Sequence, residues 1–575
     1  MAALAALSSA CAAPPEADSA DPAPAAQNQK AEAEPLLGTT RAIAAMAGRF
    51  STPASNQSRV RFYGTDLGWA FPHGDELWML FGDSWSSAQG FPLSFDADDA
   101  MGKISLRDFP DGDAVERWVA AHPSPDPRAP WRAAAPPVEL VVDSADRVAP
   151  LRPARNGHEL WSGEWLVPVA GFSNQRRDAG RGAFGIFFRN EPMQCSLKGG
   201  CDGGFKCDNE LGRCAPLSVT SAVCVVGGTT CRCVPASSGA GLCVDTGGSM
   251  YDPSTERGRT RGVVVNHQVG NALPDVPATF ASRPWSTHRF FNLATRTAED
   301  FDPWRPNGAG NDYALADGDG ERAGVLIWGR PQFVGIGAKD QDAQLYFSWV
   351  PMPSFDGTGN FRWEPRHFTG VDAEGRPQFS LREGDGVPLD LDATVDGVQP
   401  REAHDFVGQM SVAWVPSIRR FVMLYGGDSP PSFLDLAFGE DASLVTWHPL
   451  GPIHVRFAEQ PWGPWTPPRT VFVAGDVQRG TGQYGPGGIL HHPRCTLPGC
   501  APSEPVLLWA AGEPGRLYGA SIIEPWTESR ADGSVDLYWN LSTWNPYQVV
   551  LMKTHLTPSD FALHTGSPNS GARPR

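Results

Sequence analysis

The chain is 575 residues long, with a formal net charge of −17 at pH 7, 63 glycines, 54 prolines and 10% aromatic residues. So acidic a chain excludes nucleic acid, whose phosphates call for a basic face, and the sequence holds no basic run of the kind that docks on membranes. Frequent Gly and Pro among many aromatics predict an all-β chain of short strands and turns, able to bury a large core and suited to a neutral ligand such as a polysaccharide.

Residues 1–37 are expected to form no domain. An Ala/Leu/Ser run ends at Cys11, and the Ala/Pro/Glu/Asp-rich tether that follows carries too little apolar surface to fold. Leu7-Ser8-Ser9-Ala10-Cys11 resembles a bacterial lipoprotein cleavage box, although Ser8 stands where Leu is usual and no positive residue precedes it. Cys11 is therefore the expected lipidation site. The protein is expected to be secreted or lipid-anchored at the bacterial envelope, with that anchor its one link to a membrane.

Residues 64–85 are the most informative stretch. Strands are predicted at residues 59–63 and 76–81 with a turn at His73-Gly74-Asp75, and each strand ends on a carboxylate beside glycine, in Gly64-Thr65-Asp66 and Phe81-Gly82-Asp83. Glycine lets the backbone turn sharply and lets a ligand approach closely. Two such acids match what glycoside hydrolysis requires, a pair of carboxyl groups facing one bond from opposite sides. Gly-Asp is also an ordinary turn pair, so an Asx turn is the plain alternative.

Residues 97–155 are polar and proline-rich, with a helix at 112–121, and read as an excursion between blades. Strands follow at 164–169 and 182–188, and the pattern resumes at 261–266 and 289–292. Between them, in an insertion spanning 193–246, lie Cys195, Cys201, Cys207, Cys214, Cys224, Cys231, Cys233 and Cys243. With the local pair Cys495 and Cys500 they make ten, an even set that predicts disulfides of an oxidising compartment, with connectivity open. The run has no Cys-x-x-Cys and no histidine, which argues against metal.

Asp317-Gly318-Asp319-Gly320-Glu321 has the oxygen-rich look of a calcium loop but lacks the remaining spaced ligands, so a plain turn is the reading. No cofactor is expected; a calcium ion on the axis is left open. Further strand pairs are predicted at 324–331 with 343–350, at 409–416 with 420–427 and 453–457, and at 483–486, 506–509, 536–542 and 547–554. Residues 354–361 are a near miss to a sialidase Asp-box in a single imperfect copy, and residues 356–405 read as a second polar excursion. An inner strand with small residues, a turn and an aromatic-rich partner recur about five times. That recurrence predicts a five-bladed β-propeller over residues 38–565, with 566–575 as a tail. A monomer is expected.

Gly64-Thr65-Asp66-Leu67-Gly68 with Phe81-Gly82-Asp83-Ser84, and Ser542-Thr543-Trp544-Asn545-Pro546-Tyr547 near the end, resemble the bacterial family known as domain of unknown function 4185. Ile327-Trp328-Gly329-Arg330-Pro331, Gly408-Gln409-Met410-Ser411 and Gln460-Pro461-Trp462-Gly463-Pro464-Trp465 fit it as well, and the likeness covers roughly residues 37–564 apart from the cysteine insertion. The resemblance implies a five-bladed furanosidase-like propeller and endo-D-arabinanase activity, with Asp66 and Asp83 as the acidic pair. Asp66 is assigned as base, from a place just after an innermost strand, and Asp83 as acid, with inversion of configuration.

A third carboxylate can tune such a pair by like-charge repulsion, and Asp340, Asp342, Asp405 and Glu524 are the candidates, each with a solvated turn as its plainer role. Arg330 is a candidate for orienting a sugar, with a structural ion pair as its alternative. Trp85, Trp465, Trp526, Trp544 and Tyr547 are candidates for stacking on sugar rings, with packing between blades as theirs. His404, His454, His491 and His492 could line a pocket or sit satisfied elsewhere. The rival to an enzyme is a surface-anchored propeller that binds glycan or a partner protein without cutting it.

Overall fold

The computed structural model describes the chain from residue 36 to residue 562, except for residues 49–54, 61, 83, 85–98, 128, 143–144, 150, 152–153, 156–157, 160–166, 175–182, the links between strands over 190–261, and 269–280, 287–288, 291, 305–322, 331–343, 353–362, 392–406, 427–451, 474–487, 491–515 and 545. After β1 (Thr39–Ala47), the chain builds antiparallel meanders in succession. The first is β2 (Leu67–His73), β3 (Glu76–Phe81), β4 (Ala100–Ser105) and, beyond helix α1 (Gly112–Ala121), β5 (Glu139–Leu140). The second is β6 (Val167–Asn174), β7 (Ala183–Arg189), β8 (Gly262–Gln268) and β9 (Ala281–Ser286). The third is β10 (Asn292–Ala298), β11 (Gly324–Arg330), β12 (Tyr346–Pro351), β13 (Arg366–Val371) and β14 (Pro377–Ser380). The fourth is β15 (Met410–Val415), β16 (Arg420–Gly426), β17 (Ile453–Ala458) and β18 (Arg469–Phe472).

These four sheets are propeller blades of successive strands, where the sequence predicted five. A further sheet runs β19 (Arg516–Ile522), β20 (Val535–Trp544), β21 (Gln548–Leu556) and then β1, so the first strand completes a sheet that the last strands began. The innermost strands stand side by side around an axis: β2 beside β6, β6 beside β10, β10 beside β15, β15 beside β19, and β19 beside β2.

Sheets stack this way because both of their faces are apolar. Every residue of β11 is buried, as expected of a strand covered on two sides. Trp69, Trp78 and Leu80 of the first blade meet Phe184, Ile186 and Phe188 of the second, while Val169 and Phe187 meet Leu293 and Val325 of the third. Leu326, Trp328 and Phe347 pack on Phe421 and Met423 of the fourth, whose Leu424 and Val455 face Leu537 and Trp539 of the terminal sheet. Met46, Val549 and Leu551 of that sheet return to Leu77 and Phe81.

The predicted helix forms where expected. The Asp111 side chain caps α1 by accepting from the Ala114 N–H at 2.7 Å. The helix is tied to the terminal sheet through Glu116, which accepts from Lys553 Nζ at 2.7 Å and from Tyr538 Oη at 3.2 Å. Burial pushes the Glu116 carboxyl up, but the hydrogen bond and charge of Lys553, with Arg41 and Tyr538, outweigh it and hold the group below its usual range.

Three sequence expectations are corrected. Residues 55–60 are bends and turns and no strand runs through residues 62–63; the inner strand is β2, which begins after Asp66. Gly68 and Pro72 inside that run concealed its strand character. Residues 97–155 and 356–405 are not merely excursions, since they supply β4, β5, β13 and β14; strands at the outer part of a blade are short and partly wet, so their polarity resembled that of loops. No strand was expected at 39–47, because an Ala-rich run is a weak strand former, yet pairing with β21 holds it extended.

Within the insertion the backbone forms short hairpins. Their register sets Cys195 opposite Cys201, Cys207 opposite Cys214, Cys224 opposite Cys231 and Cys233 opposite Cys243. Arg189 and Gly262, on either side of it, are themselves cross-strand partners.

Candidate active site

Asp66 sits where the chain enters β2, ahead of the innermost strand and not just after one, as its assignment as base supposed. Leu67 and Gly68 adopt left-handed backbone at φ 65° and 70°, and the pairing of β2 with β3 slips between Leu67 and Trp69. This bulge re-aims the chain at a strand end. It is fixed from the terminal sheet, where Asn540 Nδ2 donates to the Gly68 carbonyl at 2.8 Å and Ser542 Oγ donates to the Leu67 carbonyl at 3.1 Å.

The second acidic turn is fastened to the first. The Gly82 N–H donates to the Asp66 carbonyl at 3.3 Å, Ser84 Oγ lies 2.9 Å from Thr65 Oγ1, and Ser84 Oγ donates to the Gly82 carbonyl at 2.7 Å. Gly82 also makes room for the carboxylate, because a Cβ at that position would stand 2.3 Å from Asp66 Oδ1 and 2.8 Å from Leu67 Cδ1. Asp83 and Trp85 lie outside the described residues. The flanking Gly82 and Ser84 both touch the Thr65–Asp66 turn, so the backbone on either side of Asp83 is anchored beside Asp66.

The other oxygen of Asp66 has a partner that the sequence reading missed. Tyr518 Oη donates to Asp66 Oδ2 at 3.0 Å. Tyr518 is half-buried near the start of β19, just before Gly519 at φ 62° and a slip in that strand's pairing. The signal was an aromatic followed by glycine at the head of a strand, a combination too common in this chain to single out. Asp66 stands level with Tyr518, and the Ala70 N–H donates to Ser521 Oγ at 3.1 Å, so β2 and β19 run in the same direction. Glu524 therefore lies past the far end of β19 from Asp66.

There Glu524 lines an axial cavity of about 50 Å³ with Trp69, Phe71, Val169, Thr295 and Arg296. That volume is on the scale of one or two waters at roughly 30 Å³ each. Arg296, a second residue that sequence reasoning passed over, grips Glu524 with two nitrogens at 2.9 and 2.6 Å. Burial raises the Glu524 pKa, and Arg296 offsets that only in part. The pair ties β10 to the chain after β19 within the axis, well away from Asp66 along the strands.

The remaining candidates scatter. Arg330 is fully enclosed opposite Asn292, and its guanidinium donates to the Val407 carbonyl. Trp465 packs 6.5 Å from Trp328, Trp526 donates from Nε1 to the Phe109 carbonyl at 2.9 Å, and Tyr547 is buried beside the backbone of Gly48. The two indoles occupy packing positions, and Tyr547 contributes its backbone carbonyl beside Gly48. His454 is buried on β17 opposite Tyr425, with Nδ1 3.1 Å from Thr470 Oγ1. Asp340, Asp342, Asp405, His404, His491, His492, the 317–321 and 354–361 segments, Cys11, Cys495, Cys500 and the Trp544 side chain lie outside the described residues. Among the described residues no group of three His, Cys, Asp or Glu side chains could hold a metal ion.

No family model and no curated protein matches the chain, so the likeness to domain of unknown function 4185 rests on its motifs alone. Solved structures with which it shares a distant likeness include a provisionally assigned hydrolase from Bacteroides ovatus, at 10% identity and TM-score 0.33, covering 88% of this chain and 89% of that one. An N-acetylgalactosamine deacetylase from F. plautii, solved with blood group B trisaccharide, matches at 10% identity and TM-score 0.33 over 92% of this chain and 99% of its own. A GH43_12 protein from a capybara gut metagenome matches at 7% identity and TM-score 0.27 over 90% of this chain and 57% of its own. At such TM-scores none of these likenesses carries weight for the chemistry of this chain.

Proposed function

We propose that this protein is a glycoside hydrolase that cleaves a furanoside polysaccharide, D-arabinan foremost, with Asp66 as general base and Asp83 as general acid. The observation that carries the reading is the fastening of the two acidic turns, in which Gly82 and Ser84 bond the Thr65–Asp66 turn while the Asp66 carboxylate rests over the bare Cα of Gly82. Two carboxyl groups carried by one such knot can flank a single glycosidic bond. A separation of roughly 6.5–9.5 Å between them would leave room for the attacking water of an inverting enzyme.

In this reading the terminal sheet counts as a fifth blade that closes the ring through β1. The chain ahead of it is a secreted, Cys11-anchored tether, and the cysteines of the insertion are oxidised in pairs. A neutral sugar polymer suits an acidic protein of this kind, which works as a monomer.

The test is release of oligosaccharides from purified D-arabinan, with L-arabinan and a fructan as controls, by the wild type and by Asp66→Asn and Asp83→Asn. Either substitution is expected to lower the rate by a factor of about 10² to 10⁴, the span of general acid–base catalysis. Binding of a polymer with no release from any of the three would overturn the assignment and leave a glycan-binding propeller.

A further inference from the structure

We infer that Tyr518 is a positioning residue for Asp66, holding its carboxylate ionised and aimed so that it can serve as the base; this rests on the glycosidase reading above. The geometry that points to it is a two-sided clamp. One carboxylate oxygen, Oδ2, accepts from Tyr518 Oη at 3.0 Å, and the other, Oδ1, fits against the Gly82 Cα where no side chain could stand. A carboxylate gripped at one oxygen and confined at the other loses its freedom to rotate.

The clamp joins two different sheets. Asp66 precedes the inner strand of the first blade, and Tyr518 lies on the inner strand of the terminal sheet, 452 residues away in the chain. Asn540 and Ser542 of the terminal sheet hold the carbonyls of Gly68 and Leu67. Thr65 and Ser84 pair on the first blade. All four are uncharged and spend these bonds on backbone carbonyls or on each other, so among the groups at this turn it is the Tyr518 phenol that donates to the Asp66 carboxylate. A hydrogen bond to the ionised form of a carboxyl favours that form, and a general base works only while ionised.

In the attack, Asp66 accepts a proton from water while the water oxygen bonds the anomeric carbon, and the leaving oxygen takes its proton from Asp83. The phenol keeps its own proton throughout, donating to Asp66 while it is ionised.

Tyr518→Phe removes the donor and little else. On D-arabinan, kcat/KM at neutral pH is expected to fall about tenfold with KM nearly unchanged, and the acidic limb of the pH profile to rise by about one pH unit, as for a lost bond to a charged group. A fall in rate with the limb unmoved would overturn the inference, since a merely structural role predicts that result.

Should the wild type release nothing from any polymer, the glycosidase reading fails, and the clamp is then read by ultraviolet titration of the nine tyrosines. A phenol bonded to a carboxylate gives up its proton late. Tyr538, bonded to Glu116, stays late in every variant; a second late-titrating phenol should move to lower pH in Asp66→Asn and vanish in Tyr518→Phe. Superimposable curves for wild type and Asp66→Asn would overturn the clamp itself.

Discussion

Gly82 shows how little space the site leaves. An added Cβ would lie 2.3 Å from Asp66 Oδ1 and 2.8 Å from Leu67 Cδ1, distances at which something must move. Overpacking of this kind costs about 1–3 kcal/mol, and the added methyl would push the clamped carboxylate out of place. If Asp66 is the base of the proposed glycosidase, Gly82→Ala is expected to cut D-arabinan cleavage by roughly 10² by misplacing it, with a modest drop in melting temperature. Gly384→Ala, where a Cβ meets nothing within 4 Å, is the control and should leave both untouched. Full activity in Gly82→Ala would show that the carboxylate has no fixed station. The glycine-flanked turn at Asp66 was legible in the sequence because Gly64 and Gly68 stand two residues to either side of it. Tyr518 was not, because its partner stands 452 residues away and no local pattern encodes such a contact. Glu524 was flagged as an acid near a strand end, but its tie to Arg296 comes from inner strands meeting at the axis, which only the closed arrangement reveals.

At the scale of elements, the strands dense in apolar and aromatic residues were read nearly to their ends. Predicted segments 324–331, 409–416 and 420–427 became β11, β15 and β16, because strands packed on both faces carry unbroken apolar runs. The outer strands lack that mark, and β1 carries the opposite one. The cysteine insertion was visible as a change of composition between two predicted strands, while the direct pairing of those strands was not. It leaves after β7 and returns at β8, and Arg189 pairs directly with Gly262. Facing residues of an antiparallel pair are about 5 Å apart and can be joined by a tight hairpin. Replacing residues 190–261 with Asn-Gly is accordingly expected to give a folded protein whose melting temperature lies within a few degrees of the parent. Insoluble or molten product would show that the insertion holds the second blade together. Polymer cleavage by the shortened chain separates a structural insertion from one that recruits substrate.

For the whole molecule the question is whether the terminal sheet is a full member of the ring. Met46 on β1 and Met423 on β16 are both fully buried, one between the terminal sheet and the first blade, the other between the third and fourth blades. If β1 locks the ring, removing either side chain opens a cavity of similar kind, and each substitution to alanine should cost about 2–5 kcal/mol. Chemical denaturation should remain one transition in both variants, since a closed ring has no blade that can leave alone. A loosely held terminal strand would behave differently: Met46→Ala would cost under about 1 kcal/mol, and unfolding would split, with the terminal sheet opening first. The site makes this more than a matter of stability. Tyr518, Asn540 and Ser542 all belong to the terminal sheet and all hold the turn that carries Asp66. Fraying of β1 from β21 would loosen that sheet and with it the turn that carries Asp66, the proposed base. Cleavage by Met46→Ala should accordingly fall at temperatures well below its melting point, whereas Met423→Ala, at the same stability, should keep its activity until it unfolds.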